Sequence, residues 1–510
     1  MKKSLHTFKS LIWIAAVFGG ITFGTAQSQK IPQQNSNKGK TQNRGQQLYK
    51  LSKLHSNTSQ MQKSGDNALD RMKYEIERTK DPKTNTVPKG IKQAEVVLSN
   101  KIEIGNDAKQ SMARVAKSTK SKDYSYWKNR GPYNVGGRTR ALAIDITNEN
   151  IIFAGGVSGG LWRSSDSGKT WRKVTNRRQN PSITTIAQDP RPGKHHIWYY
   201  GTGELIGNSA RSGDAPFDGT GIFKSTNGGR SWRLLEATND GNVTTPSPFD
   251  RINSLVVNPT NGDIIVGTYD GVHRSQDGGN SFEEVLEGGP ENTTEVAVTS
   301  TGQIYATIDS NGVPNTGIFT STTADKNDWT KISPTSYPNV YRTVIGIDPS
   351  NESIVYFFAA DGIGNQRDFL FKYNANAATP EETWTDLTPN LPTGIGGRVG
   401  NLNLQGGYNM VVKVSPADPN LIFIGGTNLY RSTTGFTTPT GKEGWIGGYS
   451  PKNDITVYPD QHPDQHALVF YPSNPNKVLS ASDGGVAVTE DITTNLSEDE
   501  PVDWVSLNNG

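Results

Sequence analysis

The segment His462-Pro463-Asp464-Gln465-His466 holds the densest local set of groups able to do chemistry. In an extended segment alternate residues share a face, so His462, Asp464 and His466 could together bind Zn²⁺ or pass protons to a substrate. The structural alternative is that the same groups tie neighbouring elements together by hydrogen bonds. A second set lies in the long polar stretch from Gly203-Glu204 to Gly221, with Glu204, Asn208, Arg211, Asp214 and Asp218. Clustered oxygens of this kind can hold Ca²⁺, although the spacing follows no calcium motif, and a solvated lid is the simpler reading. Asp361, Gln366 and Arg367 form a similar loop, while Asp483 and Asp270 each precede glycine, the arrangement of a turn. Arg138 and Arg140 flank Thr139 after Gly136-Gly137 and could grip an anion. Paired carboxylates for acid and base work would be drawn from Glu204, Asp214, Asp361, Asp464 and Asp483. Ligand contacts are expected from Arg138, Arg140, Glu204, Arg211, His462, Asp464 and His466. No cofactor is required by this set; Ca²⁺ and Zn²⁺ are the ions it could take.

Composition narrows the choices. The chain has 510 residues, 55 glycines and no cysteine, and its formal charge is only +3. The absence of cysteine excludes disulfides, thiolate zinc sites and a cysteine nucleophile. So small a charge, with the basic excess in the first hundred residues, gives no nucleic-acid footprint.

The elements that must position these groups are read from an octapeptide. Ser164-Ser165-Asp166-Ser167-Gly168-Lys169-Thr170-Trp171 returns as 225–232 and 275–282, with Ser225, Asn227, Gly229 and Trp232, then Ser275, Asp277, Gly279 and Phe282 at the matching positions. A short acid or amide can accept backbone N–H groups ahead of it, the glycine takes positive φ, and the aromatic buries between layers. The octapeptide therefore reads as a fastener between two strands, with Asp166 and Asp277 serving the turn. Around it a unit of four short strands recurs, first as Thr139 to Ile146, Ile151 to Gly155, Gly160 to Ser164 and Trp171 to Val174. Further units run from Ile183 to Leu235, Ile252 to Val285, Thr294 to Ile332 (with a degraded octapeptide from Ser321 to Trp329), Tyr341 to Leu387, Tyr408 to Gly447 and Asp464 to Val505. The fold class is thus all-β: a β-propeller of about seven four-stranded blades. It could also be the first part of a larger or double propeller, with Trp127 either completing the last blade or opening an unpaired strand.

Residues 1–26 read as a signal peptide, with a basic start, an apolar run from Leu11 to Phe23 and small residues before Ala26. Residues 27–122 are a polar, mostly disordered leader with one short helix at 67–79, and 123–510 are the propeller. This organisation implies export to the periplasm, cell surface or medium, with no membrane span after signal cleavage.

The octapeptide resembles the Asp-box, or BNR repeat, of sialidases, xyloglucanases and sortilin-type propellers of exported bacterial proteins. That resemblance implies that the box is structural and lies away from the ligand face. Gly155-Gly156-Val157-Ser158-Gly159-Gly160-Leu161-Trp162-Arg163 is similar to the xyloglucanase segment Asp-Val-Gly-Gly-Ala-Tyr-Arg, and the family's catalytic aspartate falls on Val157. Valine can neither donate nor accept a proton. The Arg-Ile-Pro signature of sialidases is missing. The Asp464-Gln465-His466-Ala467-Leu468 stretch resembles a segment recurrent in exported propellers, near the central channel. The leading expectation is a non-catalytic propeller binding a protein or glycan through one face. The alternatives are a glycoside hydrolase acting on polysaccharide, and a component of an outer-membrane or surface assembly with a secretion-machinery partner.

Overall fold

The computed structural model describes Tyr74, residues 76–99 and residues 134–509, apart from Arg177, Arg178, 208–215, 242–246, 290–291, 310–315, 362–366, 393–398 and Asn453. The expected signal peptide, Trp127, Asn208, Arg211, Asp214, Gln366 and most of the helix expected at 67–79 lie outside these residues.

Seven antiparallel sheets of four strands follow one another along the chain, each in strictly sequential order. Blade one is β1 (Thr139–Asp145), β2 (Asn148–Gly156), β3 (Gly160–Ser164) and β4 (Arg172–Lys173). Blade two is β5 (Ile183–Gln188) to β8 (Arg233–Leu234), and blade three β9 (Ile252–Val257), β10 (Ile264–Thr268), β11 (Gly271–Ser275) and β12 (Glu283–Glu287). Blades four to seven are β13 (Thr293–Val298) to β16 (Thr330–Lys331), β17 (Arg342–Ile347) to β20 (Trp384–Asp386), β21 (Val411–Val414) to β24 (Trp445–Gly447), and β25 (Gln465–Tyr471) to β28 (Val505–Ser506). Within blade one Leu142 pairs with Ala154 and Ala154 with Trp162, and the β1–β2 register shifts at both ends of the ladder.

Core side chains sit between blades. Phe153 and Leu161 of the first pack with Trp198, Tyr200 and Phe223 of the second, and the Phe153 and Trp198 ring centroids are 4.6 Å apart. Alternation along each strand sends one face of every sheet to each neighbour, so a ring buries both faces and leaves no long exposed edge.

The octapeptide turns form as their residues dictate. The carboxylate of Asp166 accepts the Thr170 N–H at 2.9 Å and its hydroxyl at 2.7 Å, and the Ser164 hydroxyl takes the N–H of Gly168 at 2.8 Å. Asp277 does the same in blade three, and in blade two Asn227 accepts the Ser231 N–H while its Nδ2 donates to the Ser231 hydroxyl. In blade four Asp328, from the far side of the turn, accepts the N–H groups of Thr322 and Thr323. Blade six keeps the geometry without the acid: Ser432 Oγ accepts the Phe436 N–H at 2.9 Å, and Phe436 stands at φ 56° where the first three turns place glycine and the fourth Ala324.

The glycine is needed because its blade presses on the one before. A Cβ on Gly229 would lie 2.2 Å from Phe153 Cζ, one on Gly279 2.4 Å from Leu235 Cδ1, and one on Gly168 2.6 Å from Leu507 Cδ1. The ring thus closes: blade one meets blade seven through Leu507, as blade three meets blade two through Leu235. Trp171 Nε1 donates to the Leu507 carbonyl across this junction at 2.8 Å. Blade seven is completed by its own fourth strand.

Before the ring, residues 76–79 are helical and α1 spans Ile91–Ser99, a helix the sequence reading does not anticipate. The Gly90 N–H donates to the Gly241 carbonyl after β8 at 2.9 Å. A second short helix, α2 (Pro380–Thr383), precedes β20. Among the described residues no helix is long and apolar enough to cross a membrane.

Candidate functional site

Topology sorts the candidates by face. The first strand of each blade runs away from one face, the second returns to it, and the third leaves again, so the octapeptides lie on the far face. The residues before each first strand and after each second strand share the near face. There the structure collects Arg138 and Val157 of blade one, Glu204 of blade two, Tyr408 of blade six, and Asp464, His466 and Asp483 of blade seven.

Glu204 is the hub. Its side chain is 2% exposed, it accepts Arg138 Nη1 at 2.7 Å, and it also pairs with Arg140 Nε. Arg140 Nη2 further donates to the carbonyls of Ile206 at 2.7 Å and Tyr408 at 3.0 Å, and both guanidinium groups lie over the Tyr408 ring. Both arginines are engaged inside the protein: they share the Glu204 carboxylate, and Arg138 also has Asp483 at 3.5 Å. Glu204 is not available as an acid or base.

Two aspartates remain. Asp483 accepts the Tyr408 hydroxyl at 2.6 Å and His466 Nε2 at 2.7 Å, with Arg138 Nε at 3.5 Å. Burial alone would raise its pKa, but these hydrogen bonds and the Arg138 charge prevail and hold it near 2. Burial, with the charge of Arg140, lowers His466 to about 3, so at neutral pH it is an uncharged donor to Asp483. Burial likewise pushes the Tyr408 hydroxyl up.

Asp464 differs. Its Oδ1 accepts Asn409 Nδ2 at 2.6 Å and is bonded by Gln405, and burial with the nearby Asp483 charge raises it to about 6. The Asp483 N–H donates to the Asp464 carbonyl at 3.2 Å, so the two residues adjoin. Asn403, Gln405 and Asp464 all adopt positive φ, at 44°, 47° and 67°. For Gln405 this conformation is a cost that the surrounding structure must sustain, and such costs gather at functional sites.

The left-handed backbone at Asp464 also corrects the expected metal triad. With φ at 67° the segment is not extended there, and β25 begins only at Gln465. His462 is exposed and bonds the Pro463 carbonyl, Asp464 turns to Asn409, and His466 turns to Asp483. The hydrogen bond of His466 thus stays within blade seven, and its ring meets the Tyr408 ring of blade six edge-on at 5.1 Å.

The other candidates stand apart from this cluster. Asp218 pairs with Arg251 at 2.9 Å. Asp361 accepts the Arg367 N–H and stands 3.8 Å from its guanidinium, within blade five. Asp270 is more than a turn former: it lies with His273 and Glu284 in the sole group of three metal-competent side chains among the described residues. Val157 is buried and its N–H donates to the Arg138 carbonyl at 3.0 Å. The position where the resembled enzymes carry an aspartate is therefore on this face but inert.

Below the near face the seven first strands enclose a cavity of about 260 Å³, which Arg140, Glu204, Glu295, Arg342 and Lys413 line. It falls short of the roughly 300–1,000 Å³ of small-molecule pockets, so a large ligand would have to run across the rim rather than enter. Lys413 faces this lumen; the surrounding protein lowers its pKa even though water reaches it.

Tyr408, Gln405 and Asn409 are the site residues that sequence reasoning missed. Their side chains carry no recognisable pattern, and Tyr408 meets Arg140 across 268 positions.

Comparison with known proteins agrees with this architecture. No protein-family model matches the chain. Over 156 residues, 28% of the chain and 15% of the relative, it is 31% identical to a xyloglucanase of a Paenibacillus species. Over 120 residues, 20% of the chain and 14% of the relative, it is 30% identical to a xyloglucanase of Hypocrea jecorina strain QM6a. Among solved structures, the GH74 xyloglucanase from Xanthomonas campestris superposes with a TM-score of 0.52 at 18% identity, over 74% of this chain and 55% of that one. A GH74 enzyme from Niastella koreensis gives 0.50 at 19% identity, over the same shares. The chain thus covers about one-seventh of the length of these curated relatives and just over half of these solved neighbours.

Proposed function

We propose that the chain is an exported glycoside hydrolase of the xyloglucanase type, cleaving a β-linked polysaccharide laid across the near face. The observation that carries this reading is the pair Asp464 and Asp483, residues joined through their backbones whose carboxyls are pushed to about 6 and about 2. Two acids whose environments separate their proton affinities are the arrangement that glycoside hydrolysis needs. Asp464, protonated through the mildly acidic range, donates to the departing glycosidic oxygen. Asp483, ionised throughout, takes the proton of the attacking water, while Tyr408, His466 and Arg138 orient it. Val157 does not take part; this pair replaces the aspartate expected there. The local identity to two xyloglucanases supports the substrate class.

A second reading is favoured by Val157 itself: a propeller that binds glycan on this face without cleaving it. Reducing-end release from xyloglucan and a panel of β-glucans, run beside affinity retardation in gels containing the same polysaccharides, separates the two. Cleavage supports the hydrolase, and retardation without cleavage supports the binder. Absence of both refutes a glycan-directed face and leaves a protein ligand or a surface-assembly partner.

A further inference from the structure

Blade three carries a second cluster that plays no part in this chemistry. We propose that Asp270, His273 and Glu284 form a binding site for a single Zn²⁺ ion, fastening the β10–β11 turn to β12.

The three side chains come from separate places in one sheet. Asp270 lies in the turn between β10 and β11, His273 is on β11 and Glu284 is on β12, with His273 and Glu284 as direct cross-strand partners. One nitrogen or oxygen from each lies within 4.8 Å of the others. His273 Nε2 and Asp270 Oδ1 are already 3.1 Å apart. Ligands held at about 2.0–2.2 Å from one zinc ion sit roughly 3.0–3.5 Å from each other. The histidine and aspartate are thus spaced as neighbouring ligands, and only the Glu284 carboxylate must swing inward.

The imidazole is pre-set. His273 is 6% exposed, with its ring 4.9 Å from that of Phe249, and its Nε2 is aimed at the carboxylates. Thr268 Oγ1 donates to Asp270 Oδ1 at 2.6 Å, and the N–H groups of Gly288 and Gly289 fix the Asp270 carbonyl at 2.9 Å. Outer hydrogen bonds of this kind orient ligands in metal sites.

Charge points the same way. Two carboxylates face one another, and among the described residues no lysine or arginine forms an ion pair with either. A dication would offset the surplus. One imidazole nitrogen with two carboxylates suits Zn²⁺ better than Ca²⁺ or Mg²⁺, which prefer oxygen throughout. Asp270 and Glu284 remain partly exposed, so the ion has a path in and water can complete its shell.

Equilibrium dialysis of the full chain against ZnCl₂ at pH 7.5, with CaCl₂ in a parallel arm, tests the site. The expected result is one Zn²⁺ per chain, held at least a hundredfold more tightly than Ca²⁺. His273→Ala and Glu284→Gln should each weaken Zn²⁺ binding tenfold or more, whereas His462→Ala, which removes an exposed histidine, should leave it unchanged. Equal uptake by wild type and Glu284→Gln, loss of uptake in His462→Ala, or Ca²⁺ held as tightly as Zn²⁺ would overturn the assignment. Glu284 lies at the solvent edge, so its glutamine variant carries the test if His273→Ala does not fold.

Discussion

Replacing Glu204 by glutamine removes one negative charge from beneath two arginines with little change of shape. Breaking a fully buried ion pair by removing one partner costs about 3–5 kcal/mol. Here the arginines keep other partners: Arg140 the Ile206 and Tyr408 carbonyls, and Arg138 the Asp483 carboxylate. Their side chains are also 10% and 19% exposed. Both facts place the expected loss near the lower limit, about 3 kcal/mol. A ring of roughly 370 residues unfolds with an entropy of about 0.8 kcal/mol/K, so the melting temperature should fall by about 4 °C. Differential scanning calorimetry in low salt and in 0.5 M NaCl is the assay. Because the pair is hidden from solvent, the shift should persist in high salt. Arg367→Gln supplies the contrast, since that guanidinium is 70% exposed and its loss should cost less than about 1 kcal/mol. A Glu204→Gln shift below 1 °C, or one abolished by salt, would refute the view of Glu204 as the hub of this face.

Activity should follow the state of Asp464. Hydrolysis needs its proton, so kcat/KM should fall about tenfold per pH unit above about pH 6 and hold steady between pH 3 and 5; a profile flat to pH 8 would exclude Asp464 as the acid. Burial raises Asp309 to about 7, so the folded state holds a proton that the unfolded chain has already released above about pH 4. The contribution of Asp309 to wild-type stability therefore declines as pH rises from 4 to 7. Asp309→Asn, which cannot ionise, should melt higher than wild type at pH 8 but not at pH 4, as thermal melts at both pH values would show. Gly229→Ala forces a Cβ to within 2.2 Å of Phe153 at φ 71° and should cost about 2 kcal/mol or more in denaturant melts, against a negligible change for Gly137→Ala, where a Cβ would meet nothing and the backbone is not left-handed.

The blades are legible in the sequence because one turn chemistry repeats. Ser, Asp or Asn, Gly and an aromatic residue at fixed offsets locate the third and fourth strands, and period-two alternation supplies the other two. The sixth turn is hidden for a physical reason: Phe436 takes the left-handed position that glycine marks elsewhere, and Thr434 replaces the acid. The near face is legible only in part. Arg138, Glu204, Asp464, His466 and Asp483 stand out by residue type, but their alliances depend on which strand ends a closed ring brings together. Reading 462–466 as an extended strand fails at Asp464, where an aspartate tolerates positive φ and its carboxylate bonds Asn409 while His466 bonds Asp483. The Asp270, His273 and Glu284 group is invisible for a similar reason, since the register of β11 on β12 sets the meeting of His273 with Glu284.

The central claim is that this chain breaks glycosidic bonds with Asp464 as its proton donor. The direct measurement is reducing-end release from xyloglucan at pH 5 by wild type and by Asp464→Asn, an exchange that keeps the hydrogen-bonding shape at Asn409. The account predicts steady release by wild type and a loss of about a hundredfold or more in the variant, within the range for removal of a general acid. No release by wild type, or equal release by both proteins, would contradict it.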